Sequence, residues 1–412
     1  MTQFFLYIDP GTGSMLFSIL IGAIATLYFL GRAAILKAKL LFGAKKDGVA
    51  LTDNNFKQYV VYNEGMQYWN LFKPVCDEFE KRQLELTYYT SAEKDPVFEQ
   101  GYKYVKPEFI GEGNKAFVRL NMLSAGVVLM TTPGLNVYQL KRSKRVKHYA
   151  HILHAASDAT MYRLFGVDYF DSVLLTGDYQ AADIRTLESQ RGIATKELVT
   201  VGCPYLDTLN NKMSAIPSEE NHPFTVLVSP SWGVSALLSR YGEKLLDPLV
   251  ATGWRIIIRP HPQSKKSEAE LLTQLESRYK DKSNVEWDYE RDNIYAMKKS
   301  DIMISDFSGI IYDYTFLCDK PVMYVNADLD LRPYDAYDID GGKNLWQFKT
   351  LREIGVELKE EEFPNIKQVI EAASDSQELA RKRQVAKAQA WQFQGKAGVK
   401  IVDYMTSIPF GK

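Results

Sequence analysis

Downstream of Gly48 the chain alternates two hydrophobic patterns. Short apolar runs bounded by turn residues read as buried strands, and stretches with apolar positions three and four apart read as helices. The pattern predicts strands over Lys57–Tyr62, Leu84–Tyr89, Ala125–Met130, His148–Leu153, Ser172–Leu175 and Leu198–Val201. It predicts helices from beyond Gly65 to about Arg82 and over Asp178–Arg191. The stretch from Asn210 to Pro223 is polar, carries two prolines and lacks an apolar period, so it reads as a linker. The rhythm then restarts, with strands expected at Thr225–Val228, Trp254–Ile258, Asp301–Ile304 and Pro321–Val325. Helices are expected at Ser235–Val250, Glu268–Tyr279, Ile294–Lys299 and Gly309–Phe316, and again over Ser376–Met405. Such alternation builds parallel sheets with helices on both faces. The fold class is therefore α/β, with two Rossmann-like domains. In that architecture ligands bind beyond the carboxyl ends of the strands, which directs attention to the cleft between the halves.

The N-terminal pattern differs. No charged residue occurs from Gly11 to Gly31, and Met15 to Leu30 is almost wholly apolar. A helix rising ~1.5 Å per residue crosses a hydrocarbon core with about 20 such residues. The next charges are Arg32, Lys37, Lys39, Lys45 and Lys46, with no acid before Asp47, whereas only Asp9 precedes the segment. The positive-inside rule then predicts a single-pass anchor in the inner (cytoplasmic) membrane, with everything after Arg32 in the cytoplasm. A cleaved signal peptide fits less well because the first nine residues carry no cation. The expected organisation is an anchor and basic juxtamembrane helix over 1–47, a first Rossmann-like domain over 48–215, a second over 222–385, and a C-terminal helix over 386–412.

Composition narrows the class. Of the 412 residues, 46% are hydrophobic and 25% charged, which excludes a disordered chain, a fibre and a multi-span membrane protein. Fifty basic residues against 51 acidic ones leave a net charge of −1, with no excess to attract nucleic acid. Three cysteines in so long a chain argue against a disulfide scaffold and suit a reducing compartment. No zinc-ligand spacing and no acidic pair at metal-binding spacing occurs, so neither a metal nor a cofactor is expected.

Candidate chemistry gathers at strand ends. His148, His151 and His154 are three apart on an expected strand, where they alternate faces and make a poor metal site. His154 falls at the carboxyl end of that strand, just before Asp158, where a catalytic group belongs. In the second half Ser229-Pro230-Ser231-Trp232-Gly233 joins a strand to a helix, and helix starts favour anions. Arg259-Pro260-His261-Pro262 is stiffened by two prolines and holds a guanidinium and an imidazole at a strand mouth. Ser305-Asp306-Phe307-Ser308-Gly309 opens a helix carrying Asp313 and offers hydroxyls and backbone N–H groups. Each turn alone also reads as plain capping or a structural ion pair. Together they imply one ligand with several phosphates.

These motifs resemble those of the CDP-glycerol glycerophosphotransferase family of teichoic-acid-type polymer synthesis, from about His151 to Gly341. Pro230-Ser231-Trp232-Gly233 resembles its Pro-Thr-Trp-Arg turn, and His261-Pro262 its His-Pro turn. The block from Ser305 to Gly309 resembles its Ser/Thr-Asp-Tyr-Ser-Ser block, followed by Asp313 and Lys320-Pro321. Asp328 and Tyr334–Asp338 resemble its acidic-aromatic run. Two departures stand out: Gly233 replaces the arginine of the Trp-Arg turn, and only His154 matches the Trp-His-Gly-Thr-Pro motif.

The resemblance implies a GT-B fold and a membrane-associated transferase. Its implied donor is CDP-glycerol or a similar CDP-linked polyol phosphate, and its acceptor a hydroxyl of a lipid-linked glycan or polymer. His154 would then take the hydroxyl proton with Asp158 orienting it, and Arg259 and His261 would neutralise the diphosphate. Ser229, Ser231, Ser305, Asp306, Ser308, Gly309 and Asp313 would line the donor site. Two other readings remain open: a GT-B glycosyltransferase using a nucleotide sugar, and a non-catalytic membrane-tethered binding protein.

Overall fold

The computed structural model describes residues 31, 55–217, 222–290, 292–326 and 329–409. The expected anchor and juxtamembrane stretch lies outside the described residues except for Gly31, as does Asp328. Among the described residues no helix is long and apolar enough to cross a membrane. Residues Lys57–Lys412 form one compact unit.

The first half contains β1 (Lys57–Asn63), α1 (Trp69–Arg82), β2 (Leu86–Thr90), β3 (Val105–Phe109), α2 (Asn114–Asn121), β4 (Ala125–Met130) and β5 (Val146–Ile152). It continues through β6 (Ser172–Leu175), α3 (Ala181–Arg191), β7 (Glu197–Thr200) and α4 (Pro204–Ser214). Its seven strands are parallel in the order β3-β2-β1-β4-β5-β6-β7. Both faces are covered, so successive β1 residues serve two cores. Tyr59 and Val61 pack with α1, whereas Val60 and Tyr62 pack against α2 and the β5 side.

The second half contains β8 (Thr225–Val228), α5 (Leu237–Ala251), β9 (Arg255–Ile258), α6 (Ser264–Ser267), α7 (Ala269–Tyr279), β10 (Val285–Trp287), α8 (Ile294–Lys299) and β11 (Ile302–Ser305). There follow α9 (Ile310–Cys318), β12 (Val322–Tyr324), α10 (Ala336–Asp340), α11 (Trp346–Ile354), β13 (Val356–Glu357), α12 (Ile366–Ser374), α13 (Gln377–Ala390) and α14 (Ala397–Ser407). The six strands run parallel in the order β10-β9-β8-β11-β12-β13. In each sheet the strand order reverses once, at β1/β4 and at β8/β11. A crevice opens at such switch points.

Two expected boundaries move. The linker begins after Ser214 rather than at Asn210, because α4 runs on through the polar Asn210-Asn211-Lys212. Its apolar side is Leu206, Leu209 and Met213, buried in a core shared with β8, β9 and α9 of the second half. The single C-terminal helix is two. Between α13 and α14, Phe393 and Gly395 take positive φ values of 52° and 73°, which helical backbone does not tolerate. The Asp207 carboxylate on α4 fixes the break, accepting from Trp391 Nε1 at 2.8 Å and the Gly395 and Ala397 N–H groups at 2.8 and 3.1 Å. Helix α14 then packs back onto α1 of the first half through Ile401, Val402 and Met405. At Gly398 a Cβ would lie 2.5 Å from the Pro74 carbonyl oxygen, so only glycine allows this approach.

Candidate active site

The two switch points face one another across a cleft of about 670 Å³. Met66, Gln67 and Asn70, which follow β1, line one side, and Tyr205 and Leu209 of α4 also border it. Opposite stand Ser229 after β8, Arg259 and His261 after β9, and Ser308 and Gly309 after β11. Five of the expected donor-site and catalytic residues are thus brought to one wall.

Local bonding decides what each can do. Gln263 N–H donates to His261 Nδ1 at 3.1 Å, so a neutral ring carries its proton on Nε2. Burial pushes its pKa down, against the raising influence of Glu268 and Asp306. The Arg259 guanidinium lies 2.6 Å from Asp288 Oδ2 and 2.7 Å from the Glu290 carbonyl, which holds it in the cleft wall as a partly neutralised cation.

Four expected donor-site residues do not line the cleft. Ser305 is fully buried, and its hydroxyl donates to the Ser229 carbonyl at 2.5 Å. The Asp306 carboxylate accepts from the N–H groups of Ser231 at 3.0 Å, Leu237 at 2.9 Å and Ser308 at 3.1 Å. Burial raises its pKa and the three N–H groups oppose that. Asp306 therefore ties the turn after β8 to the turn after β11, and an anion so engaged is no ligand for phosphate. Ser231 supplies a backbone donor to this knot. Asp313 is buried on α9, where desolvation raises its pKa to about 7 and the Tyr205 hydroxyl donates to it at 3.3 Å.

On the first half, His154 follows β5 and is partly exposed. Its Nδ1 is 3.2 Å from Thr131 Oγ1 and 3.1 Å from the Tyr162 hydroxyl. Both contacts are to Nδ1, so Nε2 is the nitrogen left to meet a substrate. Tyr68 packs edge-on against the ring, 5.3 Å between centroids. His154 stands behind Tyr68, whose neighbours Met66 and Gln67 line the cleft. Burial pushes its pKa down to about 4, so the ring is neutral at pH 7.

Asp158 takes a different place from the one expected. Its carboxyl group accepts from the backbone N–H groups of Trp346 at 3.3 Å and Gln347 at 2.7 Å, which makes it a cap on α11 rather than an orienting partner of His154. Burial raises its pKa to about 7. His148 faces the other side of the sheet, with Nε2 2.9 Å from Ser172 Oγ and 3.3 Å from Tyr404 OH. The three histidines therefore do not converge.

Sequence reasoning missed Thr131, Tyr162 and a clamp between the halves. Arg191 of α3 binds Asp168 at 2.8 Å and both Asp335 and Asp338 at 2.7 Å. The Asp335 carboxylate also accepts from the N–H groups of Phe165 at 2.7 Å and Gly166 at 3.0 Å. The Tyr334–Asp338 run thus holds the loop after His154. Thr131 was findable, since it directly follows β4 beside the switch point. Tyr162 lies in an irregular loop and carries no such signal.

Two parallel doubly wound sheets facing across a cleft define a GT-B-type fold, here with Arg259, His261 and the Ser308-Gly309 turn on one wall. Residues 179–407 match the family of CDP-Glycerol:Poly(glycerophosphate) glycerophosphotransferase. The chain belongs to that family, and is a transferase of the CDP-glycerol glycerophosphotransferase type. No curated protein matches it in sequence. Among solved structures it is similar to the wall teichoic acid polymerase TagF, with TM-score 0.54, 13% identity, and coverage of 94% of this chain and 98% of that one. A TagF structure carrying H444N with CDPG gives TM-score 0.54, 14% identity and coverage of 94% and 97%. It is also similar to the UDP-GlcNAc 2-epimerase of Neisseria meningitidis bound to UDP-GlcNAc, with TM-score 0.52, 14% identity and coverage of 85% and 100%. At such identities the likeness shows the fold alone.

Proposed function

We propose that this protein moves glycerol phosphate, or a similar polyol phosphate, from a CDP-linked donor to a hydroxyl of a lipid-linked glycan or polymer, releasing CMP. The observation that carries this reading is the convergence of Arg259, His261, Ser308 and Gly309 on one wall of the interdomain cleft. A guanidinium, an Nε2–H donor, the Ser308 hydroxyl and the Gly309 N–H suit a diphosphate.

In this scheme the acceptor oxygen attacks the β-phosphorus, a new P–O bond forms, and the bond to the CMP oxygen breaks. The hydroxyl proton passes to His154 Nε2. His261 Nε2–H and Arg259 stabilise the charge that gathers on departing CMP. A second cavity of about 520 Å³ shares Met66 and Gln67 with the donor cleft and opens beyond β1 and β2, and it supports an acceptor arriving from the first half. Met15–Leu30 with its basic flank would tether the enzyme where lipid-linked acceptors reside.

Purified full-length protein incubated with CDP-glycerol and a lipid-linked acceptor tests this. CMP release is expected, with His154→Ala and His261→Ala each reducing it at least ~100-fold while remaining folded. Full activity in either variant removes that residue from the mechanism. CMP or UDP release only with nucleotide sugars would favour the glycosyltransferase reading.

A further inference from the structure

The Tyr162 hydroxyl touches two imidazoles. It lies 3.1 Å from His154 Nδ1 and 3.1 Å from His151 Nε2. His151 is fully buried, with its ring 4.8 Å from Phe170, and its Nδ1 has no hydrogen-bond partner among the described residues. A phenol has one proton, so it can donate to at most one of the two rings, and a ring it does not donate to can bond it only as an N–H donor. The tautomers of His151 and His154 are therefore linked through one oxygen.

We propose that Tyr162 is the positioning residue that fixes His154 with its proton on Nδ1 and its Nε2 bare toward the substrate. In this arrangement Tyr162 donates to His151 Nε2 and accepts from His154 Nδ1–H. Thr131 Oγ1, at 3.2 Å, shares the same Nδ1–H. The reverse arrangement would place the proton on His154 Nε2 and leave no lone pair to receive the acceptor's proton. The chosen one leaves His151 Nδ1–H buried without an acceptor, a penalty of the kind that concentrates at functional sites. Burial raises the pKa of Tyr162, so its phenol keeps its proton.

The loop that carries the phenol is held from the second half. Asp335 N–H donates to the Tyr162 carbonyl at 2.9 Å, and Ala336 N–H to the Thr160 carbonyl at 2.9 Å. Leu164 N–H donates to the Pro333 carbonyl at 3.2 Å. Docking of the donor half on the loop thereby sets the phenol, and the phenol sets the base.

This inference rests on His154 as the base, and the experiment separates the two claims. With ¹⁵N-histidine in the full-length protein, the His154 signals (assigned by their loss in His154→Ala) are expected to show the Nδ1–H tautomer. In Tyr162→Phe a mixture of tautomers is expected, with kcat for CMP release lowered at least ~10-fold and KM for CDP-glycerol within about twofold of wild type. A wild-type Nε2–H tautomer overturns the proposal even if Tyr162→Phe fails to fold. So does a Tyr162→Phe enzyme with unchanged kcat or an unchanged tautomer while His154→Ala is inactive. A fully active His154→Ala enzyme overturns the base assignment itself, and the role of Tyr162 falls with it.

Discussion

The Tyr162 hydroxyl lies 3.1 Å from His154 Nδ1, the same ring nitrogen that Thr131 Oγ1 approaches at 3.2 Å. Burial makes His154 a neutral imidazole at physiological pH, with its pKa pushed down to about 4. A base must be unprotonated to work. The acid limb of kcat is therefore expected near pH 4 to 5, below the ordinary histidine value of about 6.5. A pH–rate profile of CMP release measures it. A limb centred near pH 6.5 would show that an unperturbed histidine does the work.

Ser305 and Ser308 look equivalent in sequence, but only Ser308 lines the cleft. Ser308→Ala is expected to raise KM for CDP-glycerol by roughly tenfold through loss of a bond to a charged oxygen. Ser305→Ala removes the donor to the Ser229 carbonyl and should lower stability by about 1 kcal/mol. Steady-state kinetics and urea denaturation of both variants distinguish these roles.

Asp313 gives a stability signature with a definite sign. Its pKa is raised to about 7 by burial, against 3.8 ordinarily. The fold thus holds a proton that the unfolded chain releases, and this contribution is full below about pH 4 and lost as pH rises to about 7. Asp313→Asn removes the titration. Its stability relative to wild type should rise by roughly 2 kcal/mol between pH 5 and pH 8. A pH-independent difference in Tm would contradict the buried placement.

Asp335 joins the halves through Arg191, at 2.7 Å, and the N–H groups of Phe165 and Gly166. Asp335→Ala leaves the Phe165 and Gly166 N–H groups without their acceptor, while Arg191 keeps Asp168 and Asp338, so the change should cost about 2 kcal/mol in urea denaturation. A change below about 0.5 kcal/mol would mean that the clamp is not structural.

Much of this architecture is legible in sequence because both sheets are buried on two faces and announce themselves as apolar runs. Ala125–Met130, Ser172–Leu175, Thr225–Val228 and the helix Ile294–Lys299 fall where the pattern puts them. Edge strands such as β3, with Lys106, Pro107 and Glu108, have no such run and were not visible. The turns after β8, β9 and β11 were readable because Pro, Ser and Gly cluster there. Which side chains face the ligand was not, since Ser305 and Asp306 are drawn inward by partners some seventy residues away in sequence. Asp158 and its partners on α11 are farther apart still, at 188 and 189 positions. No local pattern encodes such pairings.

Transfer of glycerol and its phosphate as one unit is the central claim. CDP-glycerol labelled with ³²P in the β-phosphate and ¹⁴C in glycerol, given to the full-length enzyme with a lipid-linked acceptor, tests it directly. Both labels are expected in the product at a 1:1 ratio, with unlabelled CMP released in equal amount. Transfer of ¹⁴C without ³²P, or no transfer from CDP-glycerol alongside efficient transfer from a nucleotide sugar, would contradict it.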